Sequence, residues 1–241
     1  MGRELLKANW ELLEGFASDQ SKGIEHPPVQ KPVPEGTPVL PLPPPDIRPE
    51  CYVTDAIEGR RSVRKYSDEP LELSELSWLL WATQGVQRVI RDGIATFRTV
   101  PSGGARHPFE TYLFINDVTG IDPGLYRYLP VDHALARIGD RVDPARVTEG
   151  CHGQVFAGEC PVCFAWSAIP YRTEWRYGPV SHKVILLDAG HVCQNLYLAC
   201  TALGLGTCAI GAYDQKKMDS LLSLDGNDEL VVYVAPVGRV P

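Results

Sequence analysis

Apolar residues recur at two spacings along this chain of 241 residues. Four runs are dense in aromatic and branched residues and predict strands: "FETYLFI" at 109–115, "GLYRYL" at 124–129, "VCFAWSA" at 162–168 and "ELVVYVAPVG" at 229–238. Helical spacing marks other stretches. Leu5, Leu6, Trp10, Leu12, Leu13 and Phe16 predict a short amphipathic helix over 3–16. A helix is also expected at 52–58, ending at Gly59. Another is expected at 74–86, where Ser74 is a candidate cap and Leu76, Leu79, Leu80 and Ala82 share a side. The longest helix spans 184–203 and is apolar on nearly every face, so it should run through the core. A last short helix lies around 214–222. Strands and helices do not alternate regularly enough for a doubly wound parallel sheet, which leaves an α+β fold with a mixed sheet.

Between Pro27 and Pro49 the pattern gives way to proline, as in "PLPPPDIRP". Proline lacks the amide that a central strand needs, so this segment is extended and stays out of a sheet interior. Residues 1–50 read as a helix plus proline-rich arm, and 51–241 as the folded domain. The segment 170–181, "PYRTEWRYGPVS", is both charged and aromatic and fits a mobile lid.

The formal net charge of −7 argues against a broad nucleic-acid surface. No signal peptide is legible at the N-terminus. The apolar stretch 184–205 is interrupted by Asp188, His191, Gln194 and Asn195, which excludes a membrane span. A cytoplasmic protein is the expectation. Seven cysteines are odd in number and widely spread, unlike a disulfide framework. Cys160 and Cys163 stand three apart, but no second pair at zinc-site distance accompanies them. They read as core residues, with redox or metal work the weaker alternative, and no metal site is expected.

Against the acidic background, "GRRSVRKYS" at 59–67 concentrates four cations around two serines. In an extended segment Arg60, Ser62 and Arg64 share one face over roughly 13 Å. The arginine fork donates two hydrogen bonds to two oxygens, which suits a small phosphate. The alternative is a solvated turn. Three further stretches carry candidate chemistry. "PSGGARHP" at 101–108 offers adjacent glycines whose N–H groups are free to donate. "LGLGTCAIG" at 203–211 makes a Gly-Thr corner, and Arg239 follows the last strand. P-loop and G-x-G-x-x-G patterns are absent.

These four stretches in this order resemble the nitroreductase family of FMN-dependent flavoproteins. The wording "SGGARHP", "GLYRY" and "AGHVCQNLYLA" is most similar to the branch that includes the azoline-oxidising dehydrogenases of modified-peptide biosynthesis. The resemblance covers about residues 50–241. It implies a mainly antiparallel sheet flanked by helices, with FMN at a homodimer interface. It further implies that Arg60, Arg61, Ser62 and Arg64 contact the FMN phosphate and ring edge, and that Ser102, Gly103 and Gly104 lie along the flavin from the partner. Gly206, Thr207, Ile210 and Gly211 resemble the corner over the ring, and Arg239 a second phosphate arginine. A cation such as Arg64 at the ring edge would stabilise the reduced flavin. The implied reaction takes hydride from a reduced nicotinamide or another donor and passes it to a small organic acceptor in ping-pong fashion. A flavin-holding or electron-transfer protein is the alternative. Lys183 is a candidate proton donor, alongside His182 and His191. The azoline-oxidising members resemble one another in a Lys-Tyr pair here, whereas Lys183 is followed by Val184, which weakens a peptide azoline substrate. The family's long C-terminal tail is nearly absent, and the N-terminal arm is a candidate for its dimer-clasping role.

Overall fold

A computed structural model of the chain describes residues 3–90 and 93–241. The first half contains β1 (Val39–Pro41), α1 (Val53–Gly59), β2 (Leu71–Glu72), α2 (Leu73–Gln84), β3 (Val86–Ile90), β4 (Ala95–Arg98), β5 (Phe109–Ile115) and β6 (Val118–Thr119). Then follow β7 (Gly124–Leu129), β8 (Ala134–Gly139), α3 (Pro144–Gly150), α4 (Val155–Glu159), β9 (Val162–Ala168), α5 (Tyr171–Tyr177), α6 (Ser181–Ala202), β10 (Leu205–Thr207), α7 (Gln215–Leu221) and β11 (Leu230–Arg239).

Seven strands form one sheet in the order β1-β8-β7-β5-β9-β11-β10, with every pairing antiparallel. The alternation within β9 shows how both faces of this sheet are buried. Val162, Phe164, Trp166 and Ala168 pack into the core shared with α2 and α6, while Cys163 and Ala165 pack into the second core with residues of α3, α4 and α7. Helices therefore cover both faces, and the sequence places the central strands and the fold class correctly. In β11 a register irregularity between Val231 and Tyr233 lets Val231 and Val234 face one core and Ala235 and Val237 the other.

Three expectations change. Residues 3–16 form no α-helix: two short 3-10 turns, Arg3–Leu6 and Trp10–Leu13, are separated by Asn9 at φ 50°. Neither turn buries a residue, and without a packed face so short a helix does not recover the cost of nucleation. The cap of α2 is Glu72, not Ser74, because Glu72 and Glu75 close a reciprocal capping box that starts two residues earlier. The stretch read as a lid is largely α5, with Arg172 and Trp175 buried.

The arm lies on its own chain. Val39–Pro41 adds the edge strand β1, the position proline tolerates. The buried guanidiniums of Arg98 and Arg127 donate to the carbonyls of Val29, Lys31 and Pro32. Trp175 donates to the Ile24 carbonyl, and the Trp10 ring meets the Tyr177 ring edge-on. Among the described residues no helix is long and apolar enough to cross a membrane.

Candidate functional site

The arginine stretch is extended and lies against β10. Ser62 bridges Thr207 in parallel, and the Val63 N–H donates to the Thr207 carbonyl at 2.9 Å. Gly206 makes this approach possible, since a Cβ there would stand 2.6 Å from the Val63 Cβ. Tyr66 then closes over Gly238, with its hydroxyl donating to the Val63 and Pro236 carbonyls.

Tyr197, on α6, organises the centre. The Arg60 guanidinium lies 5.3 Å from its ring centroid, and its hydroxyl is 3.1 Å from the Ser62 hydroxyl. The same hydroxyl accepts from the Ala209 N–H at 2.8 Å. Arg60 and Ser62 thus share a face, as the two-residue period requires. Among the described residues neither Arg60 nor Arg64 has a carboxylate partner. Arg61 points elsewhere and donates to the carbonyls of Glu58 and Arg60.

On the other side of the corner, the buried Thr207 hydroxyl donates to the Pro236 carbonyl, and the Ile210 N–H to that of Val234. Gly211 is exposed, and a Cβ there would meet open space. Arg239 is engaged already: its guanidinium pairs with Glu75 at 3.0 Å and Glu69 at 3.2 Å.

The loop of Ser102, Gly103 and Gly104 sits apart from this group. It packs on α6 around Val184 and Asp188, nine positions or about 13 Å before Tyr197 along the helix. The Ser102 hydroxyl donates to Asp188 at 2.6 Å, and the Gly103 N–H reaches both carboxylate oxygens at 3.2 Å. The expectation that both glycine N–H groups are free is therefore corrected: Gly103 is committed to Asp188. Gly104 takes φ 60°, and Tyr177 and Arg176 stand where its Cβ would be.

Lys183, at the start of α6, donates to the Leu6 carbonyl of the arm at 2.6 Å. His182 pairs with Glu174 at 3.0 Å and His191 stands 3.8 Å from Asp188. Cys160 and Cys163 are fully buried, and burial raises the Cys163 thiol well above its ordinary value, which keeps it protonated. Sequence reasoning gave no role to Tyr197 or Asp188. Tyr197 lies inside the quoted "AGHVCQNLYLA", yet its partners come from segments more than a hundred residues upstream and twelve downstream.

The arrangement offers cations and a hydroxyl at one end of α6 and a glycine loop at the other. Comparison with known proteins gives that arrangement a context. The chain matches the sequence profile described as the nitroreductase family over residues 57–239. A Methanocaldococcus jannaschii protein assigned by name to the nitroreductases is 36% identical over 195 residues, covering 81% of this chain and 94% of that one. The trifolitoxin-processing protein of Rhizobium leguminosarum is 32% identical over 133 residues, which is 53% of this chain and 36% of the relative. A crystal structure of a Ralstonia eutropha protein, also assigned by name to the nitroreductases, superposes with a TM-score of 0.69 at 28% identity, covering 90% of this chain and 99% of that one.

Proposed function

The chain belongs to the nitroreductase family, and on that premise we propose that it is an FMN-dependent oxidoreductase working as a homodimer. The observation that carries this reading is the pair of arginines, Arg60 and Arg64, set beside Ser62 without carboxylate partners among the described residues. In a chain of net charge −7 such cations call for an anion, and the dianionic phosphate of FMN suits their fork. The donor set fits that group. Ser62 supplies a third hydrogen-bonding direction, the Gly206–Thr207 corner brings backbone close, and Gly211 leaves open space where a ring can lie flat.

When bound, FMN supplies two-electron chemistry, taking hydride from a reduced nicotinamide or another donor and delivering it to a small organic acceptor such as a nitroarene or quinone. The chain's own residues bind and orient. Arg60 and Arg64 hold negative charge, Tyr197 fixes Arg60 and Ser62 relative to the corner, and Arg239 keeps one guanidinium nitrogen for the phosphate while Glu69 and Glu75 hold the rest.

A homodimer is supported by the separation of these groups along α6. Ser102–Gly104 and Arg60–Arg64 lie at different heights on α6 of one chain. Two copies with α6 packed antiparallel would bring the glycine loop of one to the arginines of the other. Leu186 and Leu187 support this reading, since they remain 49% and 56% exposed on a helix that sequence reasoning sends through the core. Tyr52, Val53 and Ile57 of α1 are exposed as well.

Lys183 is turned to the arm and is given no proton-transfer role in this reading, so a small acceptor is preferred over a peptide azoline. The test is the absorption spectrum of the purified protein, with its extracted cofactor identified, before and after anaerobic addition of NADH or NADPH. A yellow protein that releases FMN and bleaches is expected. Yellow without bleaching would favour the flavin-holding alternative, and a colourless protein that refuses added FMN would overturn the reading.

A further inference from the structure

The loop 102–107 carries three residues in the left-handed region, Gly104 at φ 60°, Ala105 at 55° and His107 at 44°. Two of the three are not glycine, and such backbone persists only where the surroundings hold it in place. The C-terminal side of the loop is held by buried Arg106, which donates to the Arg172 and Ile94 carbonyls, and the Ser102–Gly103 side by Asp188, which is 3% exposed on α6. Its carboxylate accepts the Ser102 hydroxyl at 2.6 Å and the Gly103 N–H at 3.2 Å through each oxygen. The Ser102 oxygen in turn accepts the His107 N–H at 2.9 Å, closing the loop on itself.

Asp188 has no arginine or lysine partner among the described residues; the half-exposed His191 ring stands 3.8 Å away. A buried carboxylate without a strong counterion is costly, and burial raises this one above its ordinary value. A neutral side chain would fill the same space on the helix more cheaply. What only the carboxylate provides is acceptance from two adjacent donors of the glycine loop.

We infer that Asp188 is a positioning residue for the flavin site: it fixes Ser102–Gly104 so that the Gly104 backbone faces the flavin bound by the second subunit. This rests on the flavin reading above. Asp188 touches no part of the arginine group, so it acts through the loop alone. The arrangement also commits the Ser102 hydroxyl to Asp188 and assigns flavin contact to backbone.

The test compares FMN dissociation constants, by flavin fluorescence, for the full-length parent, Asp188→Ala, Asp188→Asn, Ser102→Ala and the Asp188→Ala/Ser102→Ala double variant. Sedimentation velocity and thermal melting run alongside. Loss of a charge-assisted hydrogen bond should weaken FMN roughly tenfold or more in Asp188→Ala. Asp188→Asn keeps an acceptor for Ser102 and should recover part of that loss. The double variant should bind no more weakly than the worse single variant, because both act through one contact. Folded, dimeric variants that bind FMN as the parent does would overturn the inference while leaving the flavin reading intact. A role confined to helix stability would give that result with a lowered melting point. If Asp188→Ala does not fold, Ser102→Ala alone decides: parent-like affinity there contradicts the inference. A parent that binds no FMN would overturn both readings.

Discussion

At the scale of single residues, neighbouring side chains of the same type divide into different roles. Arg60 lies over Tyr197 and faces the Ser62 side, whereas Arg61 folds back onto the carbonyls of Glu58 and Arg60. Arg60→Ala should therefore lower FMN affinity about ten- to a hundredfold, the worth of a hydrogen bond to a charged group. Arg61→Ala should leave it nearly unchanged; a fluorescence titration of both variants checks the contrast, and equal losses would mean that the segment binds by bulk charge. His107 gives a pH prediction. Burial pulls its imidazole down to about 3, so the folded chain resists a proton that the unfolded chain accepts near 6.5. Stability is complete above that pH and falls as pH drops, by about 2 kcal/mol between pH 6.5 and 5. His133, also lowered by burial, adds to the trend, and Asp188, raised by burial, opposes it. The check is the difference between parent and His107→Asn in urea unfolding at the two pH values, with the shallower dependence expected in the variant. Arg60, Ser62 and Arg64 stand out as candidates in the sequence because their two-residue spacing along one extended segment carries the signal, and the structure places Arg60 and Ser62 together at Tyr197. Tyr197 and Asp188 do not stand out, because each acquires meaning only from partners far away in sequence.

Among elements, those with the densest apolar pattern were readable and those defined by pairing were not. β5, β7 and β9 fall on the residues their composition marks, since all three are buried on both faces. β8, "ALARIG", is a mixed run that becomes a strand because β7 and β1 flank it, and β3, whose centre is exposed, is a strand through its pairing with the mostly buried β4. The three-residue β10 is too short to show a period, yet it positions the arginine segment. Gly206→Ala tests that placement. Its Cβ would stand 2.6–2.9 Å from three Val63 side-chain atoms, and overpacking of this kind costs about 1–3 kcal/mol. A melting point lowered by about 2–4 °C per kcal/mol is expected. FMN affinity should fall too, because Val63 cannot move without shifting Ser62 and Arg64. A variant with lowered melting but parent-like FMN affinity would detach the corner from the site.

For the molecule as a whole, the chain closes its own cores, while the groups of the proposed site stand at two separate heights along α6. Its sheet is covered on both faces, its arm is tied down by Arg98 and Arg127, and still Leu186 and Leu187 stand on α6 with much of their surface free. Sequence patterning located α6 but assigned all its apolar faces to the core, because hydropathy alone does not say which apolar residues the chain itself covers, and Leu186 and Leu187 stay exposed. Leu187→Glu should shift the protein toward monomer in sedimentation velocity and release FMN in proportion, with secondary structure retained by circular dichroism. The most direct measurement mixes two FMN-deficient variants, Arg60→Ala/Arg64→Ala and Gly104→Val, refolds or exchanges them at equal concentration, and counts bound FMN. If each site takes its arginines from one chain and its glycine loop from the other, half of the dimers are mixed and each regains one intact site. About one FMN per four chains is then expected, although neither variant binds alone. No recovery in a mixture shown to contain mixed dimers would contradict the shared site and place both halves within one chain.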